Sequence, residues 1–254
     1  MLQRLKSIYE RNSFHLRANY PHVVVIRNTD PKTLAHIADD GTNICDTVAL
    51  VDADALIYLR GRSYPHIKYQ REQVEGKSAC NYIASGYYAN AWRRGIHRGF
   101  EALVQNRSFT IYRSRDLVLG NEDDYVQTDI VADNFHGYAP FSAGCVTVEG
   151  KMNPPEGAWK IAHEWIFRKH AEIPTFSVVI LNHADLTDTG VSLRLGSMGD
   201  AVSALQRALK LRDDGEFGPM TFAAVIAFQR SMRLEPTGIA DQRTLSILHG
   251  GKAA

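Results

Sequence analysis

Apolar and polar positions change period several times along this chain, and each change marks an element. Leu2 to Tyr9 mixes charged and apolar residues at helical spacing and predicts a short amphipathic helix. Val23 to Ile26, Thr47 to Val51 and Ala55 to Leu59 are β-rich runs, with Asp52-Ala53-Asp54 as the hairpin turn between the last two. Ser108 to Arg113 and Cys145 to Val148 also read as strands. From Gly157 to Ala171 the helical period returns, with Trp159, Ala162, Ile166 and His170 near one stripe behind the turn-forming Pro154 and Pro155. Phe176 to Leu181 predicts a final strand, and Thr187 to Gly190 a short polar linker. Beyond it the pattern is helical only: Val202, Leu205 and Leu209, then Ala224, Val225 and Phe228. The expected fold class is α+β, with a mostly β unit over residues 1–185, a linker at 186–192 and a small three-helix, all-α unit over 193–250.

Bulk properties narrow the function classes. The chain's 254 residues suffice for one medium domain and one small one. A formal net charge of +1, with basic residues dispersed, points to neither nucleic acid nor an anionic membrane surface. The longest apolar stretches are strand-length, so no membrane insertion is expected. The first ten residues lack the apolar core and cleavage site of a secretory signal. Cys45, Cys80 and Cys145 form no disulfide framework and no Cys-x-x-Cys pair, so one of them is expected to do more than pack. Nothing calls for a cofactor or a metal, and a monomer is expected.

The C-terminal segment is the most specific. Gly215 to Thr221 and Gly238 to Thr244 share one spacing. In each, the Gly opens a turn where positive φ is cheap and the Thr is placed to cap the next helix. The text LRLGSMGDAVSALQRAL followed by DGEFGPMTFAAVIAFQ is similar to the peptidoglycan-binding domain common on cell-wall hydrolases. That resemblance implies bacterial peptidoglycan as the partner and the cell wall or periplasm as the place of action. Without a signal, delivery is expected by release through a membrane pore, as for a phage lysin, or by injection.

The second signal is DNFHGYAPFSAGCVTV, residues 133–148. It joins His136 to Cys145 through a loop containing Gly137, Ser142 and Gly144. A Cys–His pair is the minimum for thiolate catalysis, since the imidazole takes the thiol proton and the sulfur attacks a carbonyl. Gly144 lets the backbone approach substrate closely, so that nearby N–H groups can stabilise an oxyanion. His-Gly followed by Ser-x-Gly-Cys resembles the catalytic motif of the L,D-transpeptidases, and more specifically a phage and bacterial branch. That branch also carries a G-x-H-x-G segment, here Gly95 to Gly99, and an N-x-H segment, here Asn134 to His136. The resemblance spans roughly Arg27 to Val148. It implies a mostly β catalytic domain with Cys145 as nucleophile, His136 as base, Gly144 and Cys145 as oxyanion donors and Ser142 shaping the loop. The bond attacked would be an L,D amide of the stem peptide.

Three departures bear on the reaction. The His-to-Cys loop is short, Ala143 replaces a second histidine, and Thr147 replaces an arginine. A more open site lets water compete as acceptor, which favours hydrolysis over transpeptidation. A non-catalytic wall-binding component of a phage tail or secretion device is the reading from another class. His97, Arg98, Tyr138 and Phe141 are candidates for holding substrate, against plain turn, surface or core-edge roles. Arg113 is a further carboxylate binder on the same terms, and Cys45 and Cys80 are read as packing. A zinc enzyme would need a scattered set from His163, His170, His183, Asp129 and Asp133, because Phe167 breaks any His-Glu-x-x-His pattern. A glycosidase would need paired carboxylates from Glu122, Asp123, Asp124 and Asp129, which read as a polar surface loop.

Overall fold

The computed structural model describes residues 2–77, 79–117, 124–138 and 140–250. Helix α1 (Leu2–Arg11) is followed by strands β1 (His22–Arg27), β2 (Asp46–Val51) and β3 (Leu56–Arg62). Helix α2 (Ile67–Val74) precedes β4 (Tyr82–Ile83), β5 (Gly86–His97), β6 (Phe100–Gln105), β7 (Phe109–Arg113) and β8 (Tyr125–Asp129). Strands β9 (Phe135–Gly137) and β10 (Val146–Val148), helix α3 (Gly157–Glu164) and β11 (Thr175–Asn182) complete this unit. Helices α4 (Asp200–Ala208), α5 (Pro219–Ser231) and α6 (Gln242–Leu248) form the C-terminal part. The fold is α+β, mostly β before residue 185 and helical at the C-terminus.

Eight strands close into a barrel in the order β1-β11-β5-β6-β9-β10-β3-β2, and β4-β7-β8 form a separate sheet. Strands β1 and β2 are buried along their whole length because both faces are covered. Val23, Val25, Val48 and Leu50 join one core with Trp92, Phe135 and Trp159. Their neighbours Val24, Ile26, Ala49 and Val51 join a second core, capped by Leu5 and Ile8 of α1. The alternation follows from the two-residue period of a strand, and it explains why these runs read as continuously apolar.

Two local expectations are corrected. The helix expected from Gly157 to Ala171 is α-helical only to Glu164, and Trp165–Lys169 winds wider as a π-helical turn. The widening brings Trp165 Nε1, Lys169 Nζ and His170 Nε2 onto Asp52 Oδ2, at 2.8, 2.8 and 2.9 Å. Asp52 meanwhile holds the hairpin turn by accepting from the Asp54 and Ala55 N–H groups. In the C-terminal unit Gly215 and Gly238 do take positive φ, but Thr221 and Thr244 are not caps. The N-caps are Gly218 and Asp241. Each Thr hydroxyl instead accepts from a glutamine of the preceding helix, Gln206 for Thr221 and Gln229 for Thr244. The same glutamines accept from Gly215 N and Gly238 N, both at 2.9 Å. The repeat read from the sequence is therefore a repeated glutamine clamp.

The helical unit is seated on the barrel. Leu193, Leu195, Val202 and Phe222 share a core with Ala84. Arg194, buried, pairs with Asp185 at 2.6 Å and donates to Ser85 and Ser192. Tyr112 OH donates to the Thr237 carbonyl. No helix among the described residues is long and apolar enough to cross a membrane.

Candidate active site

Strands β9 and β10 run parallel, with Thr147 registered against His136 and Val146 against Phe135. The chain leaves β9 after Gly137, loops out, and returns to β10 immediately after Cys145. His136 and Cys145 thus stand at one edge of adjoining strands, although nine positions separate them. His97 comes from the end of β5, where Arg98 and Gly99 form a two-residue turn into β6, both at positive φ.

These residues face one cavity of about 610 Å³. All eight expected site residues line it: Cys145, His136, Gly144, Ser142, His97, Arg98, Tyr138 and Phe141. Nucleophilic or ligating atoms of His97, His136 and Cys145 lie within 4.8 Å of one another. Tyr138 and Phe141, 57% and 55% exposed, are free to form part of the wall toward solvent. Phe141 also packs on His66, ring centroids 4.8 Å apart.

Hydrogen bonds fix the tautomers. His136 Nδ1 meets the Gly137 carbonyl, which can only accept, so Nδ1 carries the proton and Nε2 keeps its lone pair. His97 Nδ1 lies 2.8 Å from Asn134 Nδ2, whose amide oxygen already accepts from Gln105 N. Nδ1 of His97 is then an acceptor, and its Nε2 is a fixed N–H donor. The two imidazoles stack, centroids 4.7 Å apart and planes 23° from parallel. The stacking holds the two rings in a fixed mutual orientation beside the thiol.

The thiol is half-exposed to the cavity and donates toward the Ala132 carbonyl at 3.6 Å, while Asn134 N–H reaches the sulfur at 3.4 Å. Burial, then the neighbouring Asp133 carboxylate, push the thiol up to about 12, against the pull of Asn134 N–H, the Ser142 hydroxyl and Arg98. Burial, then His97, bring His136 down to about 4. The resting pair is therefore neutral thiol and neutral imidazole, with the His136 Nε2 lone pair available as a proton acceptor. Gly144 N–H donates to Ser142 Oγ at 3.1 Å, so of the two expected oxyanion donors the Cys145 N–H is the one adjoining the thiol.

Sequence reasoning weighed Asp133 only as a metal ligand and did not single out Asn81. Asp133 is buried, accepts from Asn81 Nδ2, and is raised to about 7, chiefly by burial. Asn81 N–H also holds the Ala143 carbonyl at 2.9 Å. The pair braces the loop that carries Gly144 and Cys145. No sequence pattern marks Asn81, which lies in a short segment ahead of β4.

The other candidates go elsewhere. Cys45 and Cys80 are buried, with thiols raised mainly by burial. Arg113 binds the Cys80 carbonyl and Gln127. His163 meets Glu101, His170 meets Asp52, and His183 meets Thr29, so the scattered zinc set does not assemble. Of the carboxylates weighed for glycoside hydrolysis, Glu122 and Asp123 lie outside the described residues. Asp124 is buried against Tyr82 OH at 2.6 Å, and Asp129 sits on exposed β8.

Residues 198–248 match the family described as "Putative peptidoglycan binding domain". The chain matches no curated protein and no solved structure at a significant level. The C-terminal unit is thus a peptidoglycan-binding domain, which supports peptidoglycan as partner and the cell wall as place of action.

Proposed function

We propose that the protein is a cysteine-dependent peptidoglycan peptidase that cleaves an L,D amide of the stem peptide, in the manner of a phage endolysin. The carrying observation is the convergence of Cys145, His136 and His97 in one open cavity, on a chain that also bears a peptidoglycan-binding domain. The L,D-transpeptidase resemblance of the His-Gly and Ser-x-Gly-Cys segments supplies the bond and the roles.

In the proposed reaction Cys145 Sγ attacks the amide carbonyl as its proton passes to His136 Nε2. The oxyanion takes the Cys145 N–H, and His97 Nε2–H is a second donor within the cavity. Collapse breaks the C–N bond, and His136 returns the proton to the leaving amine. Water, activated by His136, then releases the acyl group from the thioester. Arg98 lines the cavity and offers a cation to a carboxylate-bearing peptide, while Lys151 beside it is paired with Glu156 at 3.0 Å. The openness of the cavity to solvent favours water over an amine as acceptor.

The test is mass spectrometry of diaminopimelate-type muropeptides incubated with wild type and with Cys145→Ala. Fragments from wild type alone support a thiol peptidase, and their masses name the bond. A mass gain by an added amine would assign transpeptidation instead. Identical products from both proteins, or none from either, would overturn the proposal.

A further inference from the structure

A second cavity, of about 650 Å³, lies between the barrel unit and the peptidoglycan-binding domain. Its walls include Arg27, Tyr64 and Asn182 from the first unit and Glu235, Pro236 and Thr237 from the second. Helix α2 is the partition between the two cavities: Tyr69 lines the cysteine cavity, while Ile67 and Gln70 line this one. The residue before α2 is tied to the cysteine loop by a His66 N–H to Ser142 carbonyl bond of 2.9 Å.

The electrostatics of this cavity differ from those of its neighbour. At its back Arg27 is buried, donates to Ser63 and the Ile83 carbonyl, and lies over the Tyr64 ring at 4.5 Å. That cation disfavours a cationic occupant. Asp39 is paired with Arg62, while Asp40, held by Thr42 and Asn43, and Glu235 keep carboxylates on the wall and disfavour an anionic one. Asn28, Gln70 and Asn182 add uncharged polar side chains to the wall. Ile67, Pro236 and Ile239 add apolar surface. An uncharged occupant rich in hydroxyl and amide donors, with apolar C–H faces, satisfies all of these.

We propose that this interdomain cavity binds the glycan of peptidoglycan, an N-acetylated amino-sugar strand. The inference rests on the reading of the cysteine cavity as a stem-peptide site. Glycan on one side of α2 then presents its acidic peptide to Arg98 and Cys145 on the other. Holding both parts of one substrate makes entry of the peptide an intramolecular event, so a weak peptide site suffices.

Calorimetry with the N-acetylglucosamine tetramer, which carries no peptide, tests this directly on wild type, Cys145→Ala and Glu235→Trp. Glu235 is exposed, so its replacement fills the cavity mouth without touching the core. Equal binding by wild type and Cys145→Ala, weakened about tenfold or more by Glu235→Trp, is the expected result. Amide shifts at Gly41, Ile67, Thr237 and Ile239 on adding tetramer to wild type would place the sugar independently of any variant's folding. No binding, binding unaffected by Glu235→Trp, or shifts confined to the cysteine loop or the exposed face of α5 would overturn the proposal. Because no readout requires turnover, a failure of the peptidase assignment is told apart from a failure here.

Discussion

Replacing Asp133 by Asn probes the charge behind the cysteine. Asp133 is buried and faces Asn81 and Cys145, with the Arg113 cation acting on it at longer range. Burial raises its carboxyl from an ordinary 3.8 to about 7. Ionising it inside the fold therefore costs about 4 kcal/mol. The sign follows from proton counting. Below about pH 4 the carboxyl is neutral in both folded and unfolded chains, and its contribution is fully present. As pH rises to about 7 the unfolded chain releases the proton and the folded one keeps it, so stability falls; above that the loss is constant. Asp133→Asn has no such loss, and Asn81 keeps an amide oxygen as partner. Urea unfolding at pH 5 and pH 8 should show the variant gaining on wild type by about 3 kcal/mol between the two. The same substitution removes the anion that raises Cys145, so iodoacetamide should alkylate the thiol several-fold faster at pH 8. A pH-independent stability difference together with unchanged alkylation would refute the placement of this charge.

Three further outcomes follow from the geometry. A Cβ on Gly144 would lie 2.4 Å from Asp133 Oδ1 and 2.7 Å from Asn81 Nδ2, so Gly144→Ala should cost about 1–3 kcal/mol in urea unfolding; a neutral result would mean the loop is not braced there. With His136 lowered to about 4, the proposed base stays neutral through mildly acidic pH, so kcat/KM of Asp133→Asn, which lacks the neighbouring carboxyl that titrates near 7, should hold from pH 8 to pH 5 and fall only as pH approaches 4. A fall centred near 6.5 would contradict the buried, stacked imidazole. Arg194→Met leaves Asp185 buried without its cation and should destabilise the seating of the helical unit by about 3–5 kcal/mol, seen as a separate early calorimetric transition. A single unshifted transition would show the ion pair to be dispensable.

The hydrophobic pattern located β1, β2, β3, β7, β10 and β11 because their apolar runs are bounded by clear turn residues. It missed β5, the longest strand, because Gly86 to His97 alternates tyrosine, asparagine and arginine with few apolar positions, and its burial is correspondingly mixed. The glycine turns of the C-terminal unit were legible, since positive φ selects Gly. The Thr roles were not, because a hydroxyl placed to cap a helix is equally placed to accept from Gln206 or Gln229. In the candidate site, residue type and spacing joined His136 to Cys145, while His97 entered only through the resemblance of Gly95 to Gly99 to the family's G-x-H-x-G segment. Asn81 and the braced state of Asp133 carried no such signal, because their meaning arises only when the segment before β4 is folded against the cysteine loop.

The parallel pairing of β9 with β10 separates two properties that most loops confound. The spacing between the proposed base and nucleophile is written into strand register, Thr147 against His136, and not into the eight residues that join them. The exposed side chains Tyr138 and Phe141 can be exchanged to admit a different stem peptide while the proposed reacting pair stays where the sheet and the braced Ala143 and Gly144 hold it.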